Sequence, residues 1–263
     1  MTPLPIFQVD AFAKKPFAGN QAAVMPLDHW LPDDVMQAIA AENNLSETAF
    51  TVPSERDDAD FDLRWFTPAI EVPLCGHATL AAGHILMHGR QVRFATASGV
   101  LTVSRDDEDA GLLKLDLPSA PLVEVSEPAV CAALGLADRS LWLAEGCNDS
   151  IIVPVESEAE VRAVAPDFTA LGKIHRMAIV TAPGETQDIV SRVFVSYAGI
   201  DEDPVTGSAH AALVPYWAER LGRNRFTALQ ASARTGLLDC ELRGDRVILG
   251  GHAVTVIEGY FQL

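Results

Sequence analysis

The sequence predicts a mixed α/β (α+β) fold built as two similar halves. Three observations carry this. Short strand-like segments recur along the chain with helical segments between them. One helical segment, 76–88, is apolar nearly all round, which marks a helix enclosed by other structure, and a second helix follows at 208–221. And a set of short matches repeats in order. Arg64-Trp65-Phe66 recurs as Arg192-Val193-Phe194, Gly76-His77-Ala78 as Gly207-Ser208-Ala209, and Gly89-Arg90 as Gly222-Arg223. Phe94 is echoed by Phe226, and Ser98-Gly99-Val100-Leu101 by Thr235-Gly236-Leu237-Leu238. The offsets are 128, 131, 133, 132 and 137 residues, a slow drift that a duplicated unit with small loop insertions would show.

Each element has a local reason. Residues 6–12 alternate as a first strand, and Gly19-Asn20 is a turn. Pro32-Asp33-Asp34 starts a helix, because acidic residues suit the positive end of the helix dipole. That helix ends near Asn43-Asn44, and strands follow at 45–52 and 63–66 around a charged loop at 56–60. The helix at 76–88 is closed by Gly89 as its C′ residue. Strands at 92–96, 100–104 and 112–117 complete the first half. Pro118 to Pro121 reads as the junction, giving domains 1–117 and 118–263, with the last strand able to pack back on the first half. The second half has strands at 141–143, 151–155, 177–181 and 192–197, then the helix at 208–221 closed by Gly222. Strands at 228–231, 237–242, 247–249 and 253–260 follow.

The chain has 263 residues, about half of them hydrophobic, and a net charge of −17. That charge repels phosphate backbones and anionic membrane surfaces, and no Lys/Arg stripe offsets it. Nucleic-acid and membrane partners are therefore not expected. No basic segment followed by a long apolar run opens the sequence, so no signal peptide is expected. Cys75, Cys131, Cys147 and Cys240 are scattered without a CxxC pair, which suits reduced thiols in a cytoplasmic protein. An acidic substrate would have to be attracted by local groups.

The repeat supplies such groups. A helix N-terminus carries unpaired N–H groups and a positive dipole end, an arrangement suited to a carboxylate. Gly76 and Gly207 allow close approach there. The acid–base candidates lie beside these two starts: His77, Asp203 and Ser208, with His210 turned into its helix. Glu47 lies in Leu45-Ser46-Glu47-Thr48-Ala49-Phe50; a buried face would suit it to acid/base work, whereas an edge strand would leave it in water. Other signatures are missing: no GxGxxG after a strand, no phosphate-loop GxxxxGK[ST], no GxSxG elbow. His84 and His88 lack the glutamate and third ligand of a zinc helix, so no metal is expected.

The sequence resembles the PhzF (phenazine biosynthesis-like) family, relatives of diaminopimelate epimerase in fold. The resemblance rests on Val9-Asp10-Ala11-Phe12 with Gly19-Asn20-Gln21-Ala22-Ala23-Val24, and on Asn44-Leu45-Ser46-Glu47-Thr48-Ala49-Phe50. It rests also on Arg64-Trp65-Phe66-Thr67-Pro68, Cys75-Gly76-His77-Ala78-Thr79, and Glu202-Asp203-Pro204-Val205-Thr206-Gly207-Ser208-Ala209-His210. It implies two pseudosymmetric, epimerase-like domains, each a curved, barrel-like, mostly antiparallel sheet around a central helix, with the active site in the cleft between them. It implies that Glu47 moves a proton between carbons of a cyclic diene acid, an isomerisation without cofactor. His77, Asp203 and Ser208 would line that pocket with Asn20 and Cys75, and backbone amides near Gly76 and Gly207 would hold the substrate carboxylate. A homodimer is usual among such proteins. Epimerase relatives use two cysteines at the paired helix starts. This chain keeps Cys75 but has Asp203-Pro204 in the second region. A Cys75/Asp203 racemase and a non-catalytic small-acid binding protein stay open as alternatives. The segment Gln230-Ala231-Ser232-Ala233-Arg234-Thr235-Gly236 departs from the family's more glycine-rich pattern, and it is expected to border the pocket.

Overall fold

In the computed structural model, residues 3–145 and 150–263 are described, so Cys147 lies outside the described residues. The chain forms two compact units, Met1–Asp116 with Gly250–Leu263, and Leu117–Leu249.

The first unit opens with β1 (Leu4–Ala11) and β2 (Asn20–Pro26), an antiparallel pair. Helix α1 (Asp33–Asn43) begins at two aspartates and ends on Asn44 in the left-handed conformation. It carries the chain across to β3 (Glu47–Pro53), which runs parallel to β2. β4 (Phe61–Phe66) returns antiparallel, followed by the two-residue β5 (Glu71–Val72) on β4. Helix α2 (Gly76–Leu86) then crosses to β6 (Gln91–Thr96), parallel to β4. β7 (Gly99–Arg105) and β8 (Leu113–Pro118) finish the run. Parallel neighbours need a crossover, and here a helix spans each one.

The second unit repeats this plan. β9 (Leu122–Val125) is followed by the short helix α3 (Pro128–Ala133) and by β10 (Leu141–Ala144), which pairs with β9 and with β11 (Ser150–Pro154). Helices α4 (Glu158–Ala163) and α5 (Phe168–Leu171) cross to β12 (Met177–Pro183), parallel to β11. β13 (Ile189–Val195) runs antiparallel to β12, and β14 (Ile200–Asp203) pairs with β13. Helix α6 (Gly207–Leu221) crosses to β15 (Arg225–Gln230), parallel to β13. β16 (Gly236–Arg243) and β17 (Arg246–Gly251) follow. The terminal β18 (Ala253–Phe261) pairs with β1, in the first unit.

Each sheet is thus mixed but mostly antiparallel, curled as a half-barrel against its own long buried helix. The repeat extends to side chains. Arg64 on β4 grips Glu71 through two bonds of 2.7 Å and lies 5.1 Å over Phe66. Arg192 on β13 grips Glu202 at 2.8 and 2.9 Å and lies 5.0 Å over Phe194. The motif that recurs in sequence is therefore a strand pair locked by a bidentate ion pair.

Residues Gly76 to Gly83 of α2 and Gly207 to Val214 of α6 are all buried. A Cβ on Gly83 would stand 2.5 Å from Val103 Cγ1, so only glycine lets α2 lie this close to β7. Gly222 closes α6 with φ +65°. Gly89 does not close α2. That helix ends at Leu86, and Met87 leaves in an extended conformation with its side chain buried, so core packing takes the place of a glycine cap. Residues 20–26, expected only as the end of a turn, form a full strand. Among the described residues no helix is long and apolar enough to cross a membrane.

Candidate functional site

Two polar clusters form at the starts of the two buried helices. In the first unit three chain segments meet. Asn20 is the first residue of β2, Glu47 the first of β3, and the parallel register sets Glu47 beside Ala22. β3 has neighbours on both sides, so Glu47 is not on an edge strand. Cys75 is the N-cap of α2, and Gly76 and His77 form its first turn.

His77 is the hub, with a side chain only 4% exposed. Its Nε2 lies 3.0 Å from Glu47 Oε2, and neither atom meets another hydrogen-bond partner among the described residues. Its Nδ1 lies 3.2 Å from Asn20 Nδ2 and 3.5 Å from Cys75 Sγ. The Ser46 hydroxyl donates to Asn20 Oδ1 at 2.9 Å, which fixes the amide. Burial opposes a charge on His77, while the Glu47 carboxylate beside it favours one and raises its pKa. Burial, reinforced by the Glu47 charge, pushes the Cys75 thiol up to about 11. Cys75 is therefore a thiol at neutral pH. Glu47, Cys75 and His77 also bring oxygen, sulfur and nitrogen donors within 4.8 Å of one another. The direct Glu47–His77 contact is the spacing of a proton-sharing pair.

In the second unit, Asp203 ends β14, Thr206 is the N-cap of α6, and Gly207 and Ser208 form its first turn; all are buried. The Thr206 hydroxyl donates to Asp203 Oδ2 at short range. Gln230, at the end of β15, reaches both: its Oε1 accepts from Thr206 N–H at 2.8 Å and its Nε2 donates to Asp203 O at 2.7 Å. His210, one turn on, donates from Nδ1 to Thr206 O at 2.8 Å, and burial holds its pKa down at about 4.

The repeat makes Thr206 the counterpart of Cys75, and Ser208 that of His77. The register of the helix starts shows this directly, and the sequence search for a second thiol passed over it. Thr206 is not among the residues the sequence marks, although counting back one from Gly207, as Cys75 stands one before Gly76, finds it. Gln230 opens the 230–236 segment expected at the pocket, but nothing in the sequence marks its bonds to Thr206 and Asp203.

Neither buried helix has its first turn closed by an N-cap side chain, and neither carries an acidic residue there. The contrast with α4 and α5 is direct, since Ser157 caps one and Asp167 the other. The first turns of α2 and α6 thus keep N–H donors and positive dipole ends that their own cap side chains do not neutralise.

The family model for phenazine biosynthesis-like proteins matches residues 9–259. The chain is 49% identical over 267 residues to an uncharacterized isomerase of Pseudomonas aeruginosa, covering 99% of each. It is 38% identical to phenazine biosynthesis-like domain-containing protein 2 of the mouse, covering 97% of this chain and 98% of that one. A crystal structure of a PhzF-family protein from Enterococcus faecalis superposes with a TM-score of 0.88 at 41% identity, covering all of both chains. A probable proline racemase from Agrobacterium radiobacter superposes at 0.60 with 13% identity, covering 99% of this chain and 93% of that one, a likeness of fold. The matched stretch takes in both helix starts and every residue of the two clusters, and the chain belongs to the phenazine biosynthesis-like (PhzF) family.

Proposed function

We propose that this chain is a cofactor-independent isomerase that shifts a proton between carbons of a small carboxylated substrate, of the cyclic diene type, with Glu47 as acid and base. The observation that carries the reading is the Glu47–His77 pair: a carboxylate 14% exposed, 3.0 Å from a buried histidine in the first turn of a helix whose N-cap side chain makes no cap hydrogen bond. Glu47 takes a proton from one carbon. The electron pair spreads through the diene toward the substrate carboxylate, whose charge the first-turn amides near Gly76 stabilise. Glu47 then returns the proton to another carbon, so atoms and charge balance. His77 holds or shares the Glu47 proton, and Asn20 and Ser46 hold His77. Asp203 and Ser208 are the substrate-orienting side chains of the second cluster.

A Cys75/Asp203 racemase is the competing reading. One finding weighs against it: burial and the Glu47 charge push the Cys75 thiol up to about 11, so little of it is the thiolate base at neutral pH. The relatives named isomerases fit either reading, since a racemase is also an isomerase.

The test is a panel of cyclohexadiene carboxylic acids incubated with the protein in D2O, with deuterium read by NMR. Wild type should label at least one acid, and Glu47→Gln should label it at least about a hundredfold more slowly. Labelling by Glu47→Gln at the wild-type rate would overturn the proposal. Cys75→Ala should keep the rate if Glu47 is the base and lose it if Cys75 is.

A further inference from the structure

We propose that Gln230 is the positioning residue of the Asp203 cluster, and that segment 230–236 sets where the Asp203 carboxylate stands. The inference rests on the reading that Asp203 serves the reaction.

Gln230 is fully buried on β15. Its amide spans the turn that joins β14 to α6. Oε1 faces the Thr206 N–H at 2.8 Å, and Nε2 faces Asp203 O at 2.7 Å and Thr206 Oγ1 at 3.1 Å. A flipped amide would set donor against donor and acceptor against acceptor, so its orientation is fixed. Because Thr206 Oγ1 accepts from Gln230, its one proton is left for Asp203 Oδ2. The amide therefore settles both the backbone of the turn and the direction of the hydroxyl that holds the carboxylate.

The rest of the segment grips the same turn. The Ser232 hydroxyl donates to Pro204 O at 2.8 Å. A Cβ on Gly236 would lie 2.2 Å from Val205 Cγ2, so Val205 packs flush on the backbone there. Residues 203, 204, 205 and 206 are each held from β15, β16 or the loop between them. In the first unit the strand registers set Phe94 in the place of Ala228, not Phe226 as the sequence match suggests, and Thr96, the last residue of β6, in the place of Gln230; the Thr96 hydroxyl donates to Gly99 O at 2.7 Å. The clamp is thus a property of the second half alone. It accompanies the change from thiol to hydroxyl at the N-cap.

Glutamine is the residue type this demands. Leucine would take the acceptor from the buried Thr206 N–H and remove the donor to Asp203 O and Thr206 Oγ1. Glutamate would keep the acceptor for Thr206 N–H but set a carboxylate oxygen against Asp203 O, unless protonated, when its O–H would replace the lost donor.

The experiment measures deuterium incorporation into the responsive acid of the cyclohexadiene panel, and amide hydrogen exchange at Thr206, in wild type, Gln230→Leu and Gln230→Glu. Gln230→Leu should lower kcat about ten- to a hundredfold with KM changed less than about threefold, because the loss is one of alignment. It should also speed Thr206 exchange at least about tenfold. Gln230→Glu should recover activity as the pH falls and its carboxyl gains a proton, a rise that wild type does not show. A wild-type kcat in Gln230→Leu, or a Gln230→Glu profile that parallels wild type, would overturn the proposal. Should Gln230→Leu fail to fold, the Gln230→Glu profile decides. Should no acid be labelled by wild type, the isomerase reading fails, and the clamp is judged on Thr206 exchange alone: faster exchange in either variant supports it, and unchanged exchange overturns it.

Discussion

His210 should make the second unit sensitive to mild acid. It is fully buried, its Nδ1–H is spent on Thr206 O, and Nε2 has no hydrogen-bond partner among the described residues. Burial lowers its pKa to about 4, against 6.5 in an unfolded chain. A folded pKa below the unfolded one means that, between the two, the unfolded chain binds the extra proton. Stability is then complete above about pH 6.5 and falls as the pH drops toward 4. The gap is worth about 3 kcal/mol below both values, and about 2 kcal/mol at pH 5. His210→Asn keeps an N–H for Thr206 O and removes the titration. Urea unfolding at pH 7.5 and pH 5.0 is the assay. With an m-value of about 2–3 kcal/mol/M, the wild-type midpoint should fall by roughly 0.7–1 M more than that of the variant. His84, lowered by its half-burial and by Arg105, acts in the same direction but is common to both proteins and cancels. Equal falls in the two proteins would refute the reasoning, whatever the absolute stabilities.

Replacing Gly83 by Ala should cost about 1–3 kcal/mol in thermal or urea unfolding, because the new methyl meets Val103. Gly236→Ala should press on Val205 and reduce deuterium incorporation more than it reduces stability. Arg192→Leu should cost about 3 kcal/mol, since it strands Glu202 and the carbonyls of Val161, Arg162 and Val164. Arg64→Leu, at a more exposed copy of the motif, should cost only about 1. Cys75 should react with iodoacetamide at pH 7.5 far more slowly than a free thiol, as mass spectrometry of the modified peptide would show, because it is buried and protonated.

What the sequence made legible follows from physical range. Helix α2 is readable because it is apolar nearly all round, and α6 because the glycine-led start of α2 recurs in it. The β2 segment was not, because Gln21-Ala22-Ala23 has neither branched residues nor alternation, and its strand character comes from β1 and β3 on either side. Helices α3, α4 and α5, at six, six and four residues, are too short to show a helical period. Of the clusters, Glu47, His77, Cys75 and Asp203 were visible as residue types at marked places. Segment 230–236 was marked by its departure from the family pattern, but the bonds Gln230 makes were not readable, because its partners lie 24 and 27 residues away and only folding aligns β15 with the turn.

The two N-caps differ in what they can give up: a sulfur-bound proton at Cys75, and at Thr206 a hydroxyl proton already lent to Asp203. An enzyme that inverts a stereocentre needs a base on one face of the substrate and an acid on the other. A chain that removes and returns a proton through Glu47 works on one face only. Its product should be suprafacial, and a substrate deuterated at the donor carbon should deliver part of that label to the acceptor carbon. Divergence of a duplicated helix cap from thiol to hydroxyl would then be recorded in the stereochemistry of the product.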